Sequence, residues 1–321
     1  MPPRRVLLPI FVLFLVVAGP PAAEAQVRGR VFEPPTHLSL PLGITYGPDG
    51  NVWFVEQAAD NVALVTPTGT FTEFNVPTSP SAPEDIVTGP DGNLWFTEFD
   101  DQIGQITPDG TISEFTIPTS NGGPWGITAG PDGNLWFTEN SFIGNRVGRV
   151  TVDGVITEFV VPTSNSLPTG ITAGSDGNVW FTEYAASKIG RITPEGVISE
   201  FPLGSSRAGP KGITLGPDGN LWFTEWTHAR IGKITTEGVI TEYQTPSAHS
   251  HPLGINAGPD GNLWFTEEVT NRIGVVTVDG HFKEFQIPIS NSDPEGITTG
   301  PDGNVWFTMS NAGLIGEIHR A

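Results

Sequence analysis

Four residues in the C-terminal quarter of the chain have the types that proton transfer or metal binding uses: His251, Glu268, Asp293 and Glu295, with His249 in the same loop as the first. An imidazole exchanges a proton near neutral pH. Two carboxylates ~6 Å apart repel by roughly 3 kcal/mol at an effective dielectric of about 20. Such a group raises its own pKa values, draws in a cation such as Lys211, or binds a hard divalent ion. The candidate catalytic residues are therefore His251, Glu268 and Glu295. The candidate ligands for magnesium, or another hard divalent cation, are Glu268, Asp293 and Glu295. Phe99, Trp125, Tyr184 and Trp226 supply aromatic surface earlier in the chain. With Lys211 they form the candidate ligand-binding set. The plain alternative is a solvated acidic rim.

These residues are spread over most of the chain, so only a repeating scaffold brings them together. The stretch GPDGNLWFTE at 89–98 is one of seven copies that differ by small changes, and their Trp falls at 53, 95, 136, 180, 222, 264 and 306. Spacings close to 42 with many short strands mark propeller blades rather than shorter helical repeats. Within residues 126–165, GITAG, LWFTE, NRVGRVT and VITEFVV read as four strands, with PDGN and VDG as tight turns. The predicted fold is all-β: a seven-bladed propeller of four-stranded blades, almost without helix.

The chain stops at LIGEIHRA, one strand short of a full blade, while RVFEPPTHLSLPLGI at 30–44 matches EFNVPTSPSAPEDI at 73–86. Residues near 28–34 are thus predicted to supply the missing strand and close the ring. The repeated Trp–Phe pair reads as core between blades. The repeated Asp–Gly turns lack the alternating ligands of a calcium loop, and no helix follows them to make a phosphate site. Function is expected where the copies differ, on the rim carrying the loops from fourth to first strand and from second to third. There the residues after Pro are Leu42, Glu84, Trp125, Thr169, Lys211, Leu253 and Glu295. Those after the WFTE stretch are Gln57, Phe99, Asn140, Tyr184, Trp226, Glu268 and Ser310. The mouth is half acidic and half aromatic.

Composition narrows the partners. The chain has 321 residues, a net charge of −20 and no cysteine. Disulfides, zinc–thiolate sites and thiol nucleophiles are excluded, and nucleic acid or an anionic membrane is a poor match for so acidic a chain. Residues 1–25 read as a signal peptide, with Arg4 and Arg5, an apolar run from Val6 to Ala18 and a cleavage site before Gln26. The mature domain, 26–321, is expected to be secreted or periplasmic, free of the membrane after cleavage, and monomeric. Its partner is a small-molecule or peptide ligand.

The pattern GIT-x-GPDGNLWFTE, followed by IGRIT, GVITEF and PT, resembles the repeat of the virginiamycin B lyase family over nearly all of residues 29–321. Members are seven-bladed propellers that inactivate streptogramin B. The resemblance implies magnesium-assisted elimination that opens a cyclic depsipeptide at its ester, with a histidine base. It also implies histidines after the Pro in the last two blades, where this chain has Leu253 and Glu295. The acidic residue before the final Pro is kept as Asp293, and the Glu expected after the last Trp–Phe pair is Ser310. Two classes of function follow. One is a secreted propeller that binds a peptide, depsipeptide or sugar without turnover. The other is a metal-dependent carbon–oxygen lyase with a re-sited acid/histidine set, and a lactonase-type propeller is a weaker third.

Overall fold

The computed structural model describes residues 10–16 and 27–319. The signal-peptide cleavage site, before Gln26, lies outside the described residues. Six consecutive units each form a four-stranded antiparallel sheet whose first strand begins at Pro41, Pro83, Pro124, Pro168, Pro210 or Pro252. The first of these runs through β3 (Pro41–Tyr46), β4 (Val52–Glu56), β5 (Asn61–Val65) and β6 (Phe71–Asn75). The seventh takes three strands, Pro294–Thr299, Val305–Met309 and Leu314–Ile318, from the C-terminus and its fourth, β2 (Val27–Phe32), from the N-terminus. The first strands of successive blades lie side by side around the ring. Among the described residues the one helical element is a single 3₁₀ turn, Gln57–Ala59. The seven blades and the closing strand stand as the sequence predicts.

Beyond the predicted fold, β1 (Ile10–Val16) lies antiparallel against the outer edge of β2, from Ile10↔Val31 to Phe14↔Val27. Its end reaches Phe285 and Gln286, so the sheets of the sixth and seventh blades join in the full-length chain.

The repeated Trp is the core of each blade, and its partners explain the flanking residues. The seven rings Trp53, Trp95, Trp136, Trp180, Trp222, Trp264 and Trp306 are buried, each stacked 5.1–5.8 Å from one aromatic ring of an outer strand. Such offset stacks bring packing beyond area burial alone. The indole N–H cannot be left bare in a core. It donates to the Asp of the preceding turn, as Trp53 Nε1 does to Asp49 Oδ1 at 3.0 Å, while Asn51 N donates to the same oxygen. The Gly opening that turn is required by contact: a Cβ on Gly47 would lie 2.3 Å from the Trp53 ring.

Candidate functional site

Two backbone devices build the rim. The residue before each lead-in Pro is left-handed in all seven blades, with φ from 45° to 64° at Leu40, Ala82, Gly123, Leu167, Gly209, His251 and Asp293. Its carbonyl accepts the N–H of the residue that follows the second strand, as in Glu268 N to His251 O (3.3 Å) and Ser310 N to Asp293 O (3.0 Å). The column after the second strand is therefore bonded, within every blade, to the residue before the lead-in Pro. His251 and Asp293 hold a conformation that costs a non-glycine residue about 1 kcal/mol, where two other blades place Gly.

The channel wall comes from the lead-in strands. The Thr of each second strand from Thr97 onward donates Oγ1 to the carbonyl of the next blade's variable residue, for example Thr182 to Lys211 O (2.7 Å) and Thr266 to Glu295 O (2.8 Å). Glycines make this approach possible: a Cβ on Gly126, Gly170, Gly212, Gly254 or Gly296 would meet the neighbouring carbonyl oxygen at 2.3–2.5 Å. The result is a cavity of about 160 Å³ at the centre of the ring, lined by Leu42, Glu84, Asp85, Trp125, Thr169, Lys211, Leu253, Glu295 and the ring glycines.

Asp85 is the channel-lining carboxylate the sequence columns missed. It stands where the other six blades have Gly, and the signal was visible as PEDI among copies reading P-x-G-I. Its Oδ1 accepts from Ile86 N (2.9 Å) and Oδ2 from Ile127 N (3.1 Å), which fastens the second blade to the third. Burial raises its carboxyl to about 6, against the lowering pull of those two bonds. Glu84, beside it, is raised to about 7 by burial; a hydrogen bond from Gln57 Nε2 opposes this, and the charges of Glu295 and Asp85 add to it.

The predicted site residues do gather around this mouth. Trp125, Lys211 and Glu295 line the cavity itself. Phe99 packs edge-on against Trp125 at 6.2 Å, and Tyr184 against Trp226 at 6.5 Å, so the aromatic half is two pairs. The Lys211 ammonium sits 4.8 Å from the Trp226 ring and 5.8 Å from Tyr184. Trp226 Nε1 donates to Glu268 Oε2 at 2.6 Å, and the His251 ring lies 4.1 Å from the Trp226 ring. Burial raises the carboxyls of Glu295 and Asp293; Glu268 adds to both, and Ser310 donates to Glu295 Oε1 at 2.9 Å.

The acidic arc does not converge on a metal. Among the described residues no group of three or more His, Asp or Glu is placed to hold an ion. Glu268 is turned to the Trp226 indole and Glu295 to Ser310. As arranged, Glu268, Asp293 and Glu295 do not fit magnesium, and no chemical step is routed through one. Burial lowers the pKa of the Lys211 amine, and the charges of Glu268 and Glu295 oppose this, so these two form a polar wall toward Lys211.

Comparison with known proteins places this geometry. No curated protein matches the sequence. The fold superposes on a streptogramin B lyase with a TM-score of 0.87 and 40% identity, over 91% of this chain and 97% of the other. The virginiamycin B lyase of Staphylococcus aureus matches with a TM-score of 0.88 and 39% identity, over 92% of this chain and 100% of that one. The catalytically inactive histidine-to-alanine variant of the S. aureus enzyme, solved with quinupristin, matches equally well. A profile of the virginiamycin B lyase family matches residues 24–222 and 205–321. The chain belongs to the virginiamycin B lyase family.

Proposed function

We propose that this protein is an exported, monomeric ligand-binding propeller of its family. It holds a peptide-sized or depsipeptide ligand against the Phe99–Trp125 and Tyr184–Trp226 pairs, with Lys211 and the acidic wall meeting the polar groups. The observation that carries this reading is the ring of residues after Pro: aromatic and cationic on one side, acidic on the other, with Leu253 and Glu295 where the family resemblance implies histidines. Neither Leu nor a Glu bonded to Ser310 replaces an imidazole base.

The test is incubation of the mature protein with a streptogramin B, with and without magnesium, followed by mass spectrometry and tryptophan fluorescence. The expected outcome is binding that perturbs Trp125 and Trp226 fluorescence, with linearisation at least ~100-fold slower than an intact general base supports. Turnover at ordinary enzymatic rates overturns the reading.

A second reading, a carbon–oxygen lyase with a re-sited base, has one observation in its favour. His251 Nδ1 is buried with no hydrogen-bond partner among the described residues, beside the Trp226–Glu268 contact. EDTA-sensitive product formation, lost in His251→Ala, selects it. Magnesium itself is expected to leave the melting temperature unchanged, because the carboxylates are not convergent. A gain of a few degrees, the size expected from ~2.7 kcal/mol at a hundredfold excess over Kd, would install a metal site if Glu268→Gln with Glu295→Gln removed it.

A further inference from the structure

Lysines are few in this chain: Lys188, Lys211, Lys233 and Lys283. Three have ordinary surroundings. Lys188 Nζ is bonded to Thr163 Oγ1 (2.6 Å) and Glu200 Oε2 (2.7 Å). Lys233 Nζ lies 3.7 Å from Asp218 and 3.4 Å from Val278 O, and Lys283 is exposed. Lys211 differs. Its ammonium lies over the faces of Trp226 and Tyr184, as Lys233 lies over Trp222 and Lys283 over Phe285. But it is the one of the four in the channel wall, and no hydrogen bond or ion pair within 4.0 Å holds its Nζ among the described residues. Ring faces position an amine but accept none of its N–H donors in the way water does.

We propose that Lys211 is a nucleophilic amine, and that the mouth captures ligands bearing an aldehyde or ketone by forming an imine with it. This rests on the reading of the mouth as the ligand site and names a chemical class for its ligand. The Nζ lone pair attacks the carbonyl carbon, a C–N bond forms, and the carbonyl oxygen takes up a proton as the nitrogen gives one up. Loss of that oxygen as water leaves the C=N bond, so one amine and one carbonyl yield one imine and one water. The Glu295 carboxyl is placed to act in the second step: it shares the cavity wall with Lys211, within reach of the departing hydroxyl, and burial raises its pKa. Burial draws the Lys211 amine below the ordinary lysine range, against the upward pull of Glu268 and Glu295, and the neutral form is the one that attacks.

The experiment treats the mature protein with limiting acetaldehyde and sodium cyanoborohydride at pH 7 and follows ethylation of each lysine by peptide mass spectrometry. Lys211 is expected to label several-fold faster than the exposed Lys283, because burial lowers its pKa and enlarges its neutral fraction. Its rate should level off at a lower pH than that of an ordinary lysine amine. In Lys211→Arg the fast phase should vanish, while Lys283→Arg should leave it intact. Equal or faster labelling of Lys283 overturns the inference. Depsipeptide binding is read separately by fluorescence, so loss of the fast phase with binding intact removes the imine chemistry alone. A fast phase without depsipeptide binding removes only the ligand reading.

Discussion

Raising the pH from 6 to 8 is expected to lower the melting temperature by about 10 °C, with the loss easing as pH approaches 8. The source is a second ring of acids behind the mouth. The Glu that ends the second strand is fully buried in six blades, at Glu56, Glu98, Glu139, Glu183, Glu225 and Glu267. In the seventh blade Met309 takes the place. Burial raises Glu56 to about 7 and the other five to about 8. Each faces a second carboxylate on the outer strand of its blade, Glu73, Glu114, Glu158, Glu200, Glu242 or Glu284, whose charge adds to the shift. Arg146, Lys188, Arg230 and Arg272 oppose it in four blades. Among the described residues no hydrogen bond reaches either oxygen of Glu98, Glu139 or Glu225. Glu139 meets Glu158 acceptor to acceptor, a contact that becomes a hydrogen bond when one carboxyl carries the proton.

The sign follows from the raised direction. Below the unfolded value of 4.5 both states hold these protons, and the ring contributes no pH dependence. Above 4.5 the unfolded chain releases them while the folded chain keeps them, so stability falls until pH passes about 8 and is flat beyond. Two protons retained per molecule across two pH units already amount to ~5 kcal/mol. The acid limb comes from the turn aspartates Asp91, Asp132, Asp176, Asp218, Asp260 and Asp302. Burial pulls their pKa values up, yet hydrogen bonds from Asn and Trp together lower them, so their stabilisation is lost as pH falls below the ordinary Asp value. Maximum stability should therefore lie near pH 5. Glu139→Gln with Glu183→Gln keeps shape and removes the titration, so it should raise Tm at pH 8 and change it little at pH 5. A Tm that is flat or rising between pH 6 and 8 sinks this account.

That ring was in plain view as the final letter of WFTE, and its chemistry was not legible. A Glu closing a strand reads as a rim residue. Its fate depends on whether the next loop folds over it, as Ser39 does by donating to Glu56 at 2.7 Å. What the sequence did carry was everything set by period and turn chemistry: blade count, strand order, the Trp–Phe core and the closing segment. The mouth was legible as a set of columns, because residues after Pro in every blade must point into one channel. Side-chain direction was not. Glu268 and Glu295 are neighbours around the rim, but one answers an indole N–H and the other a hydroxyl, and a column cannot show that. Asp85 lay in a column of glycines that read as scaffold, where a single departure is the informative letter.

Removing residues 26–36 from the mature chain is expected to unfold the seventh blade and lower the melting temperature sharply. β2 supplies three contacts to the seventh blade. Its backbone pairs with the last strand from Gly29↔Ile318 to Phe32↔Ile315, and deletion exposes that ladder as a free edge. Phe32 stacks on Trp306 at 5.1 Å, the part that Phe74 plays for Trp53, and truncation of a buried Phe to Ala costs about 3–5 kcal/mol. Arg30 forms a bidentate pair with the fully buried Glu317, at 2.5 and 2.9 Å. Without Arg30 the buried Glu317 keeps the Asn304 amide at 2.7 Å and His319 at 3.3 Å, so the change costs part of the ~3–5 kcal/mol of a broken buried pair. Arg30→Ala and Phe32→Ala should thus each lower Tm by several degrees, and the deletion by more than either. The ring is what fixes Leu42 beside Glu295, through Thr308 Oγ1 donating to Leu42 O at 2.8 Å, so opening it should also disorder the mouth. Ligand-induced changes in Trp125 and Trp226 fluorescence should then disappear at temperatures where the truncated chain still keeps most of its β-sheet circular dichroism. A truncated protein that melts with the intact one, or that binds unchanged, would mean the ring holds its shape without the N-terminal strand.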